Sequence, residues 1–259
     1  MKRLSNRNLG GFTRVELVVV IVIVAIAVLG AMLLPALQKA NIKAQMITCN
    51  GRFKQIGIAY RLWADDHDTL TPFRASTTDG GWAELLTKTN AGQYCWTNFA
   101  ILREELGAWP EMVLCPADER RAAKNFIVKG ATNDTGNAAF KDNTTVSYFV
   151  GVASSDLYPN SILGGDRNLG PGLIPDPNYG FSPTNGQGND VTLCTNSAVS
   201  WSLKMHSVGN TESTANILLG DGSVQQATSS TFRTVWMVNA STGTNFTGTN
   251  QLGFRLVFP

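Results

Sequence analysis

No two cysteines stand in the Cys-x-x-Cys spacing, although the chain has four: Cys49, Cys95, Cys115 and Cys194. That absence removes the common zinc-ribbon and thioredoxin-like readings. Gly-x-Ser-x-Gly, His-Glu-x-x-His, P-loop and dinucleotide-binding glycine fingerprints are missing too, so no familiar catalytic motif presents itself. Histidine occurs only twice in 259 residues. Charge is scarce at 15%, while 43% of the residues are apolar, which fits a folded chain and excludes a disordered or multi-span one. Its distribution is uneven. Lys2, Arg3 and Arg7 precede Gly11 with no acid between them, and without them the net charge of +2 becomes +2 − 3 = −1. The basicity therefore belongs to a targeting segment. No basic patch interleaved with aromatics occurs elsewhere, so nucleic acid is not an expected partner.

What is present starts with a long apolar run. Leu17–Leu34 gives 18 uncharged positions, about 27 Å as a helix at ~1.5 Å per residue, close to a ~30 Å hydrocarbon core. The positive flank before it predicts a cytoplasmic N-terminus and a translocated remainder. A secretory signal peptide has a shorter apolar region ending in a small-x-small cleavage site, and this run passes into Pro35-Ala36-Leu37-Gln38-Lys39 without one. A plain signal anchor has no use for Glu16 at the membrane edge.

The stretch Gly11-Phe12-Thr13-Arg14-Val15-Glu16, followed by the apolar run, resembles the class 3 signal of type IV pilin-like proteins. The resemblance implies cleavage after Gly11 by a prepilin peptidase and N-methyltransferase, and N-methylation of Phe12. It also implies that Glu16 pairs with the terminal amine of a neighbouring subunit during assembly. Arg14 departs from the usual apolar residue at its position.

Beyond the run, Ile42, Met46, Cys49, Phe53, Ile56, Tyr60 and Trp63 recur at steps of four and three, one stripe of an amphipathic helix. One helix over residues 12–64 is expected, kinked at Pro35, with about 15–37 in the membrane. Gly51 and Gly57 weaken it or permit close approach of a sheet. From Asp65 the texture turns loop-rich. Strands are expected at Val146–Val152, Ala198–Leu203, Ile217–Leu219, Ser223–Gln226, Val235–Val238 and Phe254–Phe258, with a hairpin turn at Asp221-Gly222. Trp82–Thr87 and Asn98–Leu106 read as short helices, and residues 160–190 as long loops. The organisation expected is a leader over 1–11, a spine helix over 12–64 and an extracytoplasmic head over 65–259. The fold class expected is α+β: a long N-terminal helix, half transmembrane and half amphipathic, packed on a loop-rich head with an antiparallel sheet.

Several phrases resemble a pilin-like subgroup with a C-terminal His-x9-Asp-Gly region. They are Cys49-Asn50-Gly51-Arg52-Phe53-Lys54-Gln55-Ile56-Gly57, Leu114-Cys115-Pro116-Ala117-Asp118, Val146–Gly151, Gly164-Gly165-Asp166-Arg167-Asn168, and His206 followed by Asn216–Val224. Here 14 residues rather than nine separate His206 from Asp221. The resemblance implies a structural subunit rather than an enzyme, a pseudopilin of a type II secretion-like system. Its partners would be other pilin-like subunits, an inner-membrane assembly platform and, before assembly, membrane lipid. It would sit in the bacterial inner membrane with a periplasmic or extracellular head. The alternatives are a type IV pilus subunit for adhesion or DNA uptake, and a membrane-tethered enzyme or glycan-binding module.

Other candidates are local. Asp65-Asp66-His67-Asp68 reads as a solvated helix end. Asp166 and Asp221, in Gly- and Asn-rich surroundings, are calcium candidates, a metal that the pseudopilin resemblance also suggests. Four cysteines in an extracytoplasmic head allow three full pairings among which sequence does not choose; Cys95 and Cys115 stand as disulfide candidates, and Cys49 reads equally as a buried thiol. His206, with no second histidine nearby, is expected to be a hydrogen-bonded structural residue. Trp82, Trp96, Trp109, Trp201 and Trp236 could form a binding face but are expected mostly in the core.

Overall fold

The computed structural model describes residues 13–88, 90–126, 140–207, 213–243 and 253–259. The chain divides into two compact units, one ending at Asn41 and one spanning Ile42–Pro259.

A single helix, α1 (Arg14–Asp65), contributes to both, with Pro35 inside it. Its most apolar 18-residue window has a mean hydropathy of 3.4 and no buried residue, so it is long and apolar enough to cross a membrane. From Met46 onward the stripe behaves as its spacing dictates. Met46, Cys49, Phe53, Ile56, Tyr60 and Trp63 are buried, joined by Gly57, Ala59 and Ala64. Gly57 is where the helix comes closest to the sheet: a Cβ there would stand 3.1 Å from Leu218 Cδ1 and 3.3 Å from Gly222 Cα. Gly51 has no such neighbour. The helix ends where His67 stacks on Trp63 at 3.7 Å and the backbone turns through positive φ at Asp68 and Thr69, leaving Asp65, Asp66 and Asp68 exposed.

The head continues through 3-10 turns at Ala83–Thr87, Ala91–Tyr94 and Pro110–Val113, with the short α2 (Cys95–Ile101) between the last two. The strands follow: β1 (Tyr148–Gly151), β2 (Ile162–Asp166), β3 (Leu169–Pro171), β4 (Asn189–Cys194), β5 (Val199–Trp201), β6 (Thr214–Leu219), β7 (Val224–Thr228) and, last in the chain, β8 (Gly253–Phe258). Six form an antiparallel sheet in the order β4-β8-β1-β2-β6-β7, and β3 pairs with β5. Long N-terminal helix and antiparallel sheet together make the layout α+β.

Strand alternation divides the interior in two. Tyr148, Val150, Leu218 and Val257 point toward the α1 stripe, with Phe73, Trp82 and Phe99. Their neighbours Phe149, Ile217, Leu219, Leu256 and Phe258 point the other way, toward Trp201, Phe232, Met237 and Ala240. Both faces of the sheet are therefore covered.

Three expectations change. Val235–Val238 is not a strand. After β7, Thr228 Oγ1 accepts the Thr231 N–H at 3.2 Å and starts a helical segment: α3 (Ser229–Thr231), a π-helical turn (Phe232–Trp236) and α4 (Met237–Gly243). The extra residue of the π turn puts Phe232 and Met237 into the same core. Residues 160–190 are not all loop either, since β2, β3 and the start of β4 lie there. β2 reads as a loop because of Gly164 and Gly165, yet packing requires the second of these: a Cβ on Gly165 would stand 2.4 Å from Phe149 Cζ. Asn98–Leu106 is helical only in part, because α2 stops at Ile101.

Replacing Gly165 by Ala forces the Phe149 ring out of its place. Thermal and urea unfolding of the purified protein should show a loss of about 1–3 kcal/mol; unchanged stability would mean the ring has room to move.

Candidate metal centre

Four side chains from four segments meet beside the α1 core. Cys49 comes from the buried stripe of α1, and Cys115 follows the turn Pro110–Val113 and the extended Leu114, just before Pro116, whose ring disfavours helical backbone at the residue preceding it. Asp166 is the last residue of β2, and His206 lies on the connection from β5 to β6, just after the positive-φ residue Met205. Tyr148 and Asp166 are register partners, so both project to the sheet face that α1 covers.

All four groups are buried from solvent. The Cys49 thiol donates to Asp166 Oδ1 at 3.2 Å, and His206 Nε2 lies 3.3 Å from Cys115 Sγ and 3.5 Å from Asp166 Oδ2. One donor atom from each residue can be chosen so that all lie within 4.8 Å of one another. Around them sit groups that favour negative charge on these atoms. The Asn216 backbone N–H donates to Asp166 Oδ2 at 2.7 Å, the Ala117 N–H points at Cys115 Sγ at 3.5 Å, and the Tyr148 hydroxyl lies 3.4 Å from Cys49 Sγ. His206 Nδ1 has no hydrogen-bond partner among the described residues.

Burial raises the Cys49 thiol well above its ordinary range. It opposes ionisation of Cys115 as well, but hydrogen bonds with Cys49 and His206 outweigh it and lower that thiol to about 7. Burial also works against a charged His206, and the Asp166 carboxylate and Cys115 reverse the balance, raising it to about 9. The Asp166 carboxyl is raised by burial, an effect that His206 and the Asn216 N–H temper. The Cys115–His206 pair is thus the more readily charged side of the cluster.

A second buried contact closes beside it. Asp118 accepts from Arg167 Nε at 2.6 Å and Nη2 at 2.8 Å, and the Arg167 guanidinium lies 3.4 Å from the centre of the Tyr179 ring. Burial opposes a charged Asp118, and Arg167 overcomes it, holding the carboxyl below its usual range. Leu114–Asp118 and Gly164–Asn168 are therefore joined twice, through Asp118–Arg167 and through the cluster.

The sequence candidates fare differently. Gly11 and Phe12 lie outside the described residues. Glu16 closes a reciprocal cap on α1: its carboxylate accepts the Thr13 backbone N–H at 2.8 Å, and Thr13 Oγ1 accepts the Glu16 N–H at 3.3 Å. The Thr-x-x-Glu spacing was the legible signal for this role. Asp166 and Asp221 do not share a site. Asp166 binds the amide of Asn216, while Asp221 is exposed at the turn beyond the far end of β6 and accepts the Ser223 N–H at 2.8 Å. Two sulfurs and an imidazole around Asp166 do not suit calcium, which takes oxygen ligands. Cys95 and Cys115 do not form a disulfide. Both are free thiols, as is Cys49, and Cys95 instead donates to the Val257 carbonyl at 3.3 Å. The tryptophans form no common face: Trp82 and Trp201 are buried in different cores, and Trp109 is exposed. Sequence reading kept Cys49, Cys115 and His206 apart, because Cys49 and Asp166 are 117 positions apart and Cys115 and His206 are 91 apart.

No protein-family model, curated protein or solved structure matches the chain.

Removing Arg167 leaves the Asp118 carboxylate buried without its counter-charge. Arg167→Ala should lose about 3–5 kcal/mol in a urea titration, and much more than Arg103→Ala, whose partner Glu104 is exposed. Equal effects of the two would show that the buried pair carries no special weight.

Proposed function

We propose that the chain is a pilin-like structural subunit, a pseudopilin of a type II secretion-like system, made with a leader, cut between Gly11 and Phe12 and assembled through its N-terminal helix. The observation that carries this reading is the juxtaposition of the basic leader, Gly11-Phe12, Glu16 and an uninterrupted apolar helical run. One apolar helix among the described residues, followed by a head whose sheet is covered by that helix's amphipathic half, supports it. In this reading the apolar half rests in the inner membrane with the N-terminus cytoplasmic. It then packs among like helices on assembly, where exposed Val, Ile and Leu side chains find partners. Prepilin peptidase, other pilin-like subunits and an assembly platform are its partners.

Glu16 has two roles in this reading. It caps α1 through Thr13, a contact that cleavage after Gly11 leaves intact because Thr13 stays on the mature chain. It also presents a carboxylate to the new terminal amine of a neighbouring subunit, which makes a charge at the membrane edge tolerable.

Mass spectrometry of the mature chain should find N-methylated Phe12 at the N-terminus; an uncut chain beginning at Met1 would contradict the reading. Glu16→Gln separates the two roles, since glutamine can serve a capping box while carrying no charge. It should be processed normally and enter filaments as poorly as Glu16→Ala. Wild-type assembly of the glutamine variant would reduce Glu16 to its cap.

A further inference from the structure

We propose that Cys49, Cys115, Asp166 and His206 hold one zinc ion in a closed, four-coordinate structural site that fastens α1 to the head. This does not rest on the pilin reading and would stand without it.

The donor set selects the metal class. Two thiols, an imidazole nitrogen and one carboxylate oxygen suit a borderline-soft divalent ion and disfavour calcium and magnesium. Spacing agrees. Zinc with bonds of ~2.3 Å to sulfur and ~2.0–2.1 Å to nitrogen or oxygen has tetrahedral edges of roughly 3.3–3.8 Å. The closest contacts here are 3.2, 3.3 and 3.5 Å, the first and last to different oxygens of Asp166, and one donor atom from each residue lies within 4.8 Å of the others, so a modest adjustment of the side chains admits the ion. None of the four groups reaches solvent, leaving no open position of the kind a catalytic zinc keeps for water.

The surroundings are those of a ligand shell. Thiolate and carboxylate ligands need donors behind them, and the Tyr148 hydroxyl, the Ala117 N–H and the Asn216 N–H are aimed at Cys49, Cys115 and Asp166 respectively. Arg52 donates to the Leu114 carbonyl, which brings a positive charge next to the Cys115 segment. Binding exchanges the thiol protons of Cys49 and Cys115 for the cation, with no oxidant or reductant involved. In place of a crowded group of buried protons, a single ion bridges four segments that lie far apart in the sequence.

The test uses the full-length protein purified in detergent. Elemental analysis should find about one zinc per chain, as a single four-ligand site requires. Chelation should lower the thermal midpoint, and zinc sulfate, but not calcium chloride, should restore it. Cys115→Ser and His206→Gln should lose the metal, whereas Cys95→Ala, outside the cluster, should keep it. Tyr148→Phe leaves every ligand in place and the ring in its core, and should weaken zinc binding about 10-fold or more. That variant and the chelation of the unaltered protein decide the matter even if the ligand variants fail to fold. A chain that takes up no zinc when offered excess, zinc retained undiminished by Tyr148→Phe and Cys115→Ser, or a Cys49–Cys115 disulfide in peptide mapping would overturn the proposal.

Discussion

The contact between Cys49 on α1 and Asp166 on β2 sets the position of the helix on the sheet. The apolar stripe cannot do this alone. Its steps of four and three repeat, so a helix slid along its axis by two turns would again offer apolar residues to the same face. Polar groups break that degeneracy, because only one placement puts Cys49 beside Asp166 and Tyr148 and at the same time sets Gly57 against the β6–β7 turn. A displaced helix would leave Oδ1 of the buried Asp166 carboxylate without the Cys49 donor, a larger penalty than a changed apolar contact.

The same economy of polar contacts organises the rest of the head, whose long connections have little regular structure of their own. Arg120 donates to the carbonyls of Asn143, Val146, Pro183 and Pro259, tying two loops and the last residue to one guanidinium. Asn143 receives the Trp96 N–H and donates to the Gly92 and Gly186 carbonyls. Asp118 and Arg167 close the gap between a bend and a strand end. Apolar burial supplies the two cores on either side of the sheet, and these buried polar groups decide which loop lies where.

What could be read in the sequence follows the range of the underlying physics. Helix periodicity is local, so the stripe from Met46 to Trp63 was legible residue by residue, and so were strands with strong β-formers such as VSYFVGV. β2 was not, because its glycines answer to Phe149 on a neighbouring strand, and glycine in a sequence signals a turn. The segment after β7 was misread because Val235-Trp236-Met237-Val238 has strand-forming side chains, while the Thr228 cap and the buried Phe232 and Met237 make it helical. The four-residue cluster was the least legible of all. Each member belongs to a different segment, and zinc was set aside for want of Cys-x-x-Cys, a spacing needed only when two ligands share one loop. Asp166 was singled out, but with oxygen-rich neighbours in view rather than the two sulfurs that the fold brings to it.

Four residues distant in sequence converge within 4.8 Å, and the role proposed for them is ligation of one ion. X-ray absorption at the zinc edge of the loaded full-length protein tests it most directly. Ligation by this cluster gives two sulfur scatterers at ~2.3 Å and two nitrogen or oxygen scatterers at ~2.0–2.1 Å. A first shell of nitrogen and oxygen alone would place the zinc elsewhere on the protein and contradict it.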